Sequence, residues 1–151
     1  SCVAFSQQDT TTCGANGSAC SACGFGLKCE TGGCVFDETT MFKLTALEIA
    51  NCSCTDAIGL PDPFVTLQSP SSSASTNTCS DVVGCKFSSG SIDVTAGDLV
   101  AGKVTFHVYD EDTSFDDDCG GGAIKLPSPI VPATYEVSVG GQTFTFKVDA
   151  K

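Results

Sequence analysis

An acidic stretch in the second half of the chain has the residue types and spacing most suited to chemistry. Between Val108 and Gly120, six of the thirteen residues are Asp or Glu. Carboxylates this close together repel one another unless a cation lies among them. Ca²⁺ suits such an oxygen-rich loop, because it takes roughly 6–8 oxygen ligands in a flexible geometry. Taken alone, the stretch fits a calcium loop and a solvated acidic loop equally well.

A second acidic loop, residues 56–65, favours the calcium interpretation. It reads Asp-Ala-Ile-Gly-Leu-Pro-Asp-Pro-Phe-Val, with its two aspartates six positions apart. Together the two loops resemble those of the C2 domain family, whose first calcium loop reads D-x2-G-x-x-D-P-Y/F-V and whose third reads V-x-D-x-D-x5-D followed by Gly. The matching residues are Asp56, Gly59, Asp62, Pro63, Phe64 and Val65, then Val108, Asp110, Asp112, Asp118 and Gly120 or Gly121. The resemblance covers residues 41–151.

This resemblance implies a metal site made by loops that converge at one end of a β-sandwich. In C2 domains five aspartates of these loops ligate two or three Ca²⁺ ions. Phe115 stands where some relatives have a serine that serves a third ion, which argues against a third ion here. Carried over by position, the metal ligands are the carboxylates of Asp56, Asp62, Asp110, Asp112 and Asp118, with backbone carbonyls near Ala57 and Glu111.

Convergence of the two loops also has a consequence for the cysteines beside them. Cys54 lies two residues before Asp56, and Cys119 directly follows Asp118. We therefore expect a Cys54–Cys119 disulfide that links the loops, and a second, local bridge between Cys79 and Cys85. Cys52 is then the odd cysteine, either free or tied to the N-terminal segment.

Eleven cysteines in 151 residues indicate an oxidising, secreted setting. Zinc binding is the alternative, but the single histidine and the setting favour disulfides. Residues 1–36 contain few large apolar side chains, so three disulfides must hold this segment together. Its spacing resembles the small cysteine-rich modules of secreted bacterial proteins, and no β-α-β pattern supports a redox role for its CxxC pair. Its cysteines are Cys2, Cys13, Cys20, Cys23, Cys29 and Cys34.

The remaining pattern predicts an all-β domain over residues 41–151, joined by a short connector to a cysteine-rich module over residues 1–36. About eight short alternating stretches and no sustained helical periodicity predict an antiparallel β-sandwich, the fold that the C2 resemblance also implies. In the first stretch, Met41–Ala50, the alternation of apolar and polar residues changes phase, which predicts a bulge near Ala46. Gly140-Gly141 predicts a tight hairpin turn. One strand before the first acidic loop and three after the second match the phospholipase-type strand order.

Composition excludes several functions. The net charge is −11, with seven Lys and no Arg, so nucleic acid is not an expected partner. No apolar run approaches the roughly 20 residues of a membrane-spanning helix. No leader is recognisable, so we expect a mature or trimmed chain. His107, the single histidine, has no evident nucleophile or orienting group, and we expect no enzymatic activity.

These observations predict a secreted, non-catalytic module that binds Ca²⁺ and docks to anionic phospholipid or a cell-surface component. In the C2 domains that this chain resembles, apolar residues at the tips of the calcium loops enter the bilayer, so the resemblance implies membrane contact by Ile58 and Leu60 in the first acidic loop and by Phe115 in the second. The alternative is that these side chains pack within the protein. In that case Ca²⁺ only stabilises a structural or adhesive extracellular module. A phospholipase-like accessory domain with enzymatic function is a third hypothesis.

Overall fold

The computed structural model describes residue 14 and residues 22–52, 54, 59–112 and 116–151. Within these residues the chain forms a two-stranded hairpin followed by two packed antiparallel sheets. The elements in order are β1 (Leu27–Glu30), β2 (Gly33–Phe36), β3 (Met41–Ala50), β4 (Pro63–Gln68), β5 (Ser73–Ser75), β6 (Cys85–Lys86), β7 (Ser91–Thr95), α1 (Ala96–Ala101), β8 (Val104–Asp110), β9 (Asp117–Ile124), β10 (Ala133–Val139) and β11 (Gln142–Ala150).

The two sheets confirm the predicted antiparallel β-sandwich. One sheet has the order β10-β11-β3, and both β6 and β7 pair with β3. The other has the order β5-β4-β8-β9. Each of the eight predicted strands has a counterpart, and the short β5 is an addition. Of the sandwich strands, β3 precedes the first acidic loop and β9 to β11 follow the second, the order predicted from sequence.

The core lies between the sheets and is built from alternate residues of the central strands. Phe106 of β8 and Phe144 of β11 are fully buried, and their rings stack with centroids 4.7 Å apart. Burying an aromatic or aliphatic side chain of this kind contributes about 1.5–3 kcal/mol. The alternation seen in sequence therefore corresponds directly to the buried faces of the two sheets.

The predicted bulge in β3 is present and explains the phase change. Phe146 pairs with Ala46 and Thr145 with Glu48, so Leu47 is an extra residue in the ladder. A bulge of this kind reverses the facing of the residues that follow. Ile49 consequently joins the same buried core as Leu44.

Four parts of the sandwich differ from what the sequence pattern indicates. The helix α1 has six residues, too few for a periodic signal, and begins where the Thr95 side chain accepts a hydrogen bond from the Asp98 amide. The segment 69–80 is rich in Ser, Thr and Asn and reads as a loop in sequence, but it contains β5. The segment 82–87 reads as a weak strand, but only the two residues of β6 are a strand in the structure.

The start of β9 is the largest difference, because the strand begins at Asp117, within the acidic stretch between Val108 and Gly120. Its acidic, glycine-rich residues look like a loop in sequence but pair with β8. Gly121 makes this pairing possible, because a Cβ atom there would lie 2.0 Å from the Phe106 carbonyl oxygen. Only glycine permits such a close approach of two backbones.

The described part of the cysteine-rich segment is the β1–β2 hairpin. A disulfide joins Cys23 to Cys34, and Cys29 is also disulfide-bonded. Phe25 packs edge-on against Phe42 of the sandwich, with ring centroids 5.4 Å apart. The boundary between a module at residues 1–36 and a domain at 41–151 stays a prediction. Cys2, Cys13 and Cys20 lie outside the described residues.

Candidate metal centre at the acidic loops

The two acidic loops leave the sandwich at the same end because β4 and β8 are neighbours. Pro63 at the start of β4 pairs with Asp110 at the end of β8, and Asp110 also pairs with Asp117 of β9. Asp62 therefore lies beside Asp110, although the two residues are 48 positions apart. The end of one sheet thus carries carboxylates from both loops.

Asp110 is the most unusual of these residues, because its side chain is only 2% exposed. One oxygen, Oδ1, accepts a hydrogen bond from the Asp62 amide at 2.6 Å. The other, Oδ2, is buried and has no hydrogen-bond partner. A buried carboxylate oxygen without a partner carries a large desolvation cost. A cation bound at Oδ2 would remove that cost, so the residue fits a metal ligand.

Asp62 is held by backbone groups from two other segments. Its side chain accepts a hydrogen bond from the Asp81 amide at 2.6 Å, and its carbonyl accepts one from the Glu111 amide at 3.1 Å. Such partners orient a ligating carboxylate before an ion arrives. Asp81 adopts a positive φ of 55°, which lets its amide reach this position. Nothing in the sequence motif identified Asp81 as part of the site.

Asp118 lies at the start of β9, and its Oδ1 accepts a hydrogen bond from the Gly120 amide at 2.8 Å. Its Oδ2 lies 3.7 Å from Nδ1 of His107, which is longer than a hydrogen bond, and that nitrogen has no hydrogen-bond partner among the described residues. The side chains of Asp118 and His107 are both about half exposed. The Gly120 amide is therefore the group that orients the Asp118 carboxylate.

The structure describes part of the predicted ligand set. Glu111 and Asp112 are exposed at the start of the second loop, while Asp56 and Ala57 lie outside the described residues. In the part of the chain that the structure describes, one group of three potential ligand atoms lies within 4.8 Å of one another, and it consists of cysteine sulfurs. The described aspartates do not form such a group. The set implied by the resemblance also needs Asp56.

A disulfide links the two loops across the site. Cys54 and Cys119 are bonded, although they are 65 positions apart, and Cys79 and Cys85 form a local bridge. These are the two pairings expected from the sequence. Disulfides of this kind are typical of oxidising compartments.

Cys52 is the free cysteine among the described residues, and it is buried against the loop disulfide. Its Sγ lies 2.7 Å from Sγ of Cys54. Burial raises the pKa of the Cys52 thiol above its ordinary value, and the negative charge of Asp110 acts in the same direction. The thiol is therefore held in its protonated form at neutral pH.

Gln142 is a supporting residue that sequence reasoning missed. It is 1% exposed, and its Nε2 donates a hydrogen bond of 2.8 Å to the carbonyl of Cys119. This bond anchors the start of β9 to the opposite sheet. A polar residue just after a Gly-Gly turn reads as solvent-facing, so the sequence carried no signal for its burial.

The end of the sandwich from which the two acidic loops leave is called the loop end. Two exposed apolar side chains lie there. Leu60 is 48% exposed, as expected for a loop-tip residue, and Val83 is 49% exposed. Backbone hydrogen bonds from Val82 to Pro61 and from Cys52 to Val83 hold these two segments side by side. Val83 was not among the predicted contact residues. Ile58 and Phe115 lie outside the described residues.

The described residues contain no helix with the length and apolar character needed to cross a bilayer. The end of the sandwich that carries the acidic loops has carboxylates, a type of group that binds hard cations such as Ca²⁺. Chemically, the arrangement is a partly buried set of carboxylates bordered by apolar side chains.

Comparison with known proteins places the fold among C2 domains. No family model matches this chain, and no curated protein matches it significantly. Solved structures of C2 domains do match, and because their sequence identities are low, these matches show the fold alone. The chain therefore has the C2 fold, and the resemblance seen in sequence is confirmed at that level.

Three of these structures show the range of the similarity. A human GIVD cytosolic phospholipase A2 in complex with an inhibitor and terbium chloride matches with a TM-score of 0.58 and 20% identity over 72% of this chain. The calcium-bound C2A and C2B domains of Extended-Synaptotagmin 2 match with a TM-score of 0.59 and 13% identity over 76%. A further C2 domain matches with a TM-score of 0.55 and 18% identity over 72%.

The share of each matched protein differs widely. The match covers 17% of the phospholipase chain, 46% of the Extended-Synaptotagmin 2 chain and 96% of the single C2 domain. This chain therefore corresponds in fold to one domain of the larger proteins.

Proposed function

We propose that this chain is a secreted, non-catalytic C2-type module that binds Ca²⁺ at its two acidic loops and docks to anionic phospholipid. The observation that supports calcium binding most directly is the buried Asp110 carboxylate, whose Oδ2 has no partner. A structure that buries such an oxygen benefits from a cation at that point. The calcium-bound state named for Extended-Synaptotagmin 2 is consistent with the proposal.

The carboxylates would hold the ion through residues from both loops. Asp62, Asp110 and Asp118 are already positioned by backbone amides. Asp112 and Asp56 are the remaining side chains of the motif. Bound Ca²⁺ would supply positive charge at an otherwise negative surface. The role of this chain's own residues is to orient oxygens and keep the loops close.

Calorimetric titration with Ca²⁺ tests the metal site. We expect wild-type protein to bind Ca²⁺, and Asp110→Asn to weaken the affinity by about tenfold or more, because a neutral amide replaces the buried charge. Glu136→Gln is the matched control, because it removes an exposed carboxylate from the edge strand β10. Circular dichroism verifies that each variant is folded. Absence of binding by folded wild-type protein contradicts the proposal.

Membrane docking is supported by the apolar side chains beside the carboxylates. Leu60 and Val83 are each about half exposed next to the proposed calcium site, where metal binding alone gives them no role. Inserting such a side chain into a bilayer contributes about 1.5–3 kcal/mol. Bound Ca²⁺ would have to supply the attraction to anionic headgroups, because the chain has a net charge of −11.

Sedimentation with phosphatidylserine vesicles tests the docking step. With saturating Ca²⁺ we expect wild-type protein to sediment, and Leu60→Ala to bind about tenfold more weakly. Val131→Ala is the control, because Val131 is 61% exposed and precedes β10 at the opposite end of the sandwich. Equal binding by both variants would remove Leu60 from the contact surface.

The second candidate is a structural or adhesive extracellular module in which Ca²⁺ only stabilises the fold. It is favoured by the Cys54–Cys119 disulfide, which already holds the loops together in an oxidising environment. Wild-type protein that binds Ca²⁺ in calorimetry but stays in the supernatant with vesicles would support this function over membrane docking.

A further inference from the structure

The three sulfur atoms at the loop end form a cluster that the proposed calcium function does not use. Cys52 is 7% exposed and carries a free thiol, while Cys54 and Cys119 share a disulfide. The Sγ atoms of Cys52 and Cys54 lie 2.7 Å apart, inside the ordinary contact distance of two sulfurs. A free thiol placed against a disulfide has the arrangement needed for thiol–disulfide exchange.

We propose that Cys52 is an internal nucleophile that exchanges with the Cys54–Cys119 disulfide, so that the link between the two acidic loops is reversible. In mildly alkaline solution a fraction of the Cys52 thiol loses its proton to solvent, and the resulting thiolate attacks Sγ of Cys54. A Cys52–Cys54 bond forms as the Cys54–Cys119 bond breaks, and Cys119 leaves as a thiolate that takes up a proton. The number of thiols and disulfides is unchanged, so no external oxidant or reductant is needed.

Cys54 is the sulfur attacked because it is the one in contact with Cys52. The product joins two residues that are two positions apart, whose Cα atoms are separated by at most about 7 Å. A disulfide accepts Cα separations of roughly 4.4–6.8 Å, so the product is within reach of the chain. The Cys52 backbone is held by a 2.7 Å hydrogen bond from its amide to the Val83 carbonyl.

The consequence of exchange is local. After it, Cys119 no longer holds the first loop, but β9 stays paired with β8 and is anchored by Gln142. The loops keep the hydrogen bonds from the Asp62 amide to Asp110 and from the Glu111 amide to the Asp62 carbonyl. Exchange would therefore release one covalent restraint on the acidic loops while the sandwich remains folded.

Mapping of free thiols by mass spectrometry tests the exchange in wild-type protein. The protein is incubated without reductant in mildly alkaline buffer, quenched in acid, denatured and alkylated with N-ethylmaleimide. We expect two populations, one labelled at Cys52 and one labelled at Cys119 with a Cys52–Cys54 bridge. Label at Cys52 alone at every time point would overturn the proposal. Label at Cys54 with a Cys52–Cys119 bridge would overturn the assignment of Cys54 as the sulfur attacked.

Cys52→Ser provides the matched comparison. Without the nucleophile, labelling of Cys119 should fall by about tenfold or more, because the Cys54–Cys119 bond has no internal partner. Persistent labelling of Cys119 in this variant would contradict the proposal. The Cys79–Cys85 bridge is the internal control in both proteins and should stay unlabelled. The wild-type measurement decides the question even where Cys52→Ser folds poorly.

Discussion

The two ends of the sandwich satisfy their polar groups in different ways. At the end opposite the acidic loops, α1 covers the core with Leu99, which is fully buried. The connector before β3 accepts hydrogen bonds from the helix, from Ala96 to Thr40 and from Gly97 to Glu38. At the loop end, Asp110 keeps a buried oxygen without a partner.

This difference indicates which end of the sandwich should depend on ligands and redox conditions for its stability. The helix end is stabilised by apolar burial and local backbone bonds, which need no ligand. The loop end has a disulfide cross-link and, under the proposed function, carboxylates that would gain from a cation. Ligands that bind only the native state stabilise it by about 2.7 kcal/mol at a hundredfold excess over Kd. We therefore expect calcium and redox conditions to affect the loop end selectively.

The largest effect is expected where β9 is joined to the rest of the loop end. Gly121→Ala should lower the free energy of unfolding by about 4–5 kcal/mol, because the new methyl group collides with the Phe106 backbone. Urea unfolding followed by circular dichroism measures the change. The control is Gly33→Ala in β2, where the nearest atom is 3.8 Å away. Equal stability of the two variants would mean that β9 lies further from β8.

The second prediction compares how much each of the two disulfides near the loop end contributes to the free energy of unfolding. Replacing Cys54 and Cys119 by Ser opens a loop of 65 positions, whereas replacing Cys79 and Cys85 opens one of 6. Loop-closure entropy predicts losses of about 4 kcal/mol and about 2 kcal/mol respectively. Urea unfolding under non-reducing conditions compares the two double variants. A larger loss for the short loop would indicate that native-state contacts, not chain entropy, dominate.

The last prediction tests whether the helix end is independent of the loop end, and the expected change in the Ca²⁺-dependent stability is close to zero. Leu99→Ala should cost about 3 kcal/mol through the cavity it leaves. It should not alter the extra stability that Ca²⁺ gives, because the helix lies at the opposite end from the carboxylates. Thermal melts with Ca²⁺ and with EDTA measure this increment in wild type and variant. A changed increment would show that the two ends are coupled through the sheets. Val100→Ala, at a partly exposed position of α1, is the control.

Much of the sandwich was predictable because its strands carry strong alternation. The phase change in β3 predicted a bulge, and the extra residue at Leu47 is its cause. The Gly140-Gly141 turn predicted the β10–β11 hairpin, and both glycines have positive φ. Such signals are local: each is carried by a few adjacent residues, whose facing or backbone conformation needs no knowledge of distant parts of the chain.

The elements that were missed lack a local signal. The six residues of α1 are too few to show helical periodicity, and β5 consists of Ser-Ala-Ser. The acidic, glycine-rich start of β9 has a composition typical of loops. It becomes a strand because β8 offers a backbone partner, and glycine at position 121 allows the close approach.

The fold class and the positions of the two acidic loops could be predicted from the sequence, because alternation and motif spacing are properties of neighbouring residues. The Cys54–Cys119 pair was expected because the C2 resemblance implies that the two loops converge. The burial of Asp110 with an unpaired oxygen, the bond from Gln142 to Cys119 and the contact of Cys52 with a disulfide became visible only in the folded structure. Burial and contact depend on which distant strands meet, and that is settled by packing of the two sheets as a whole.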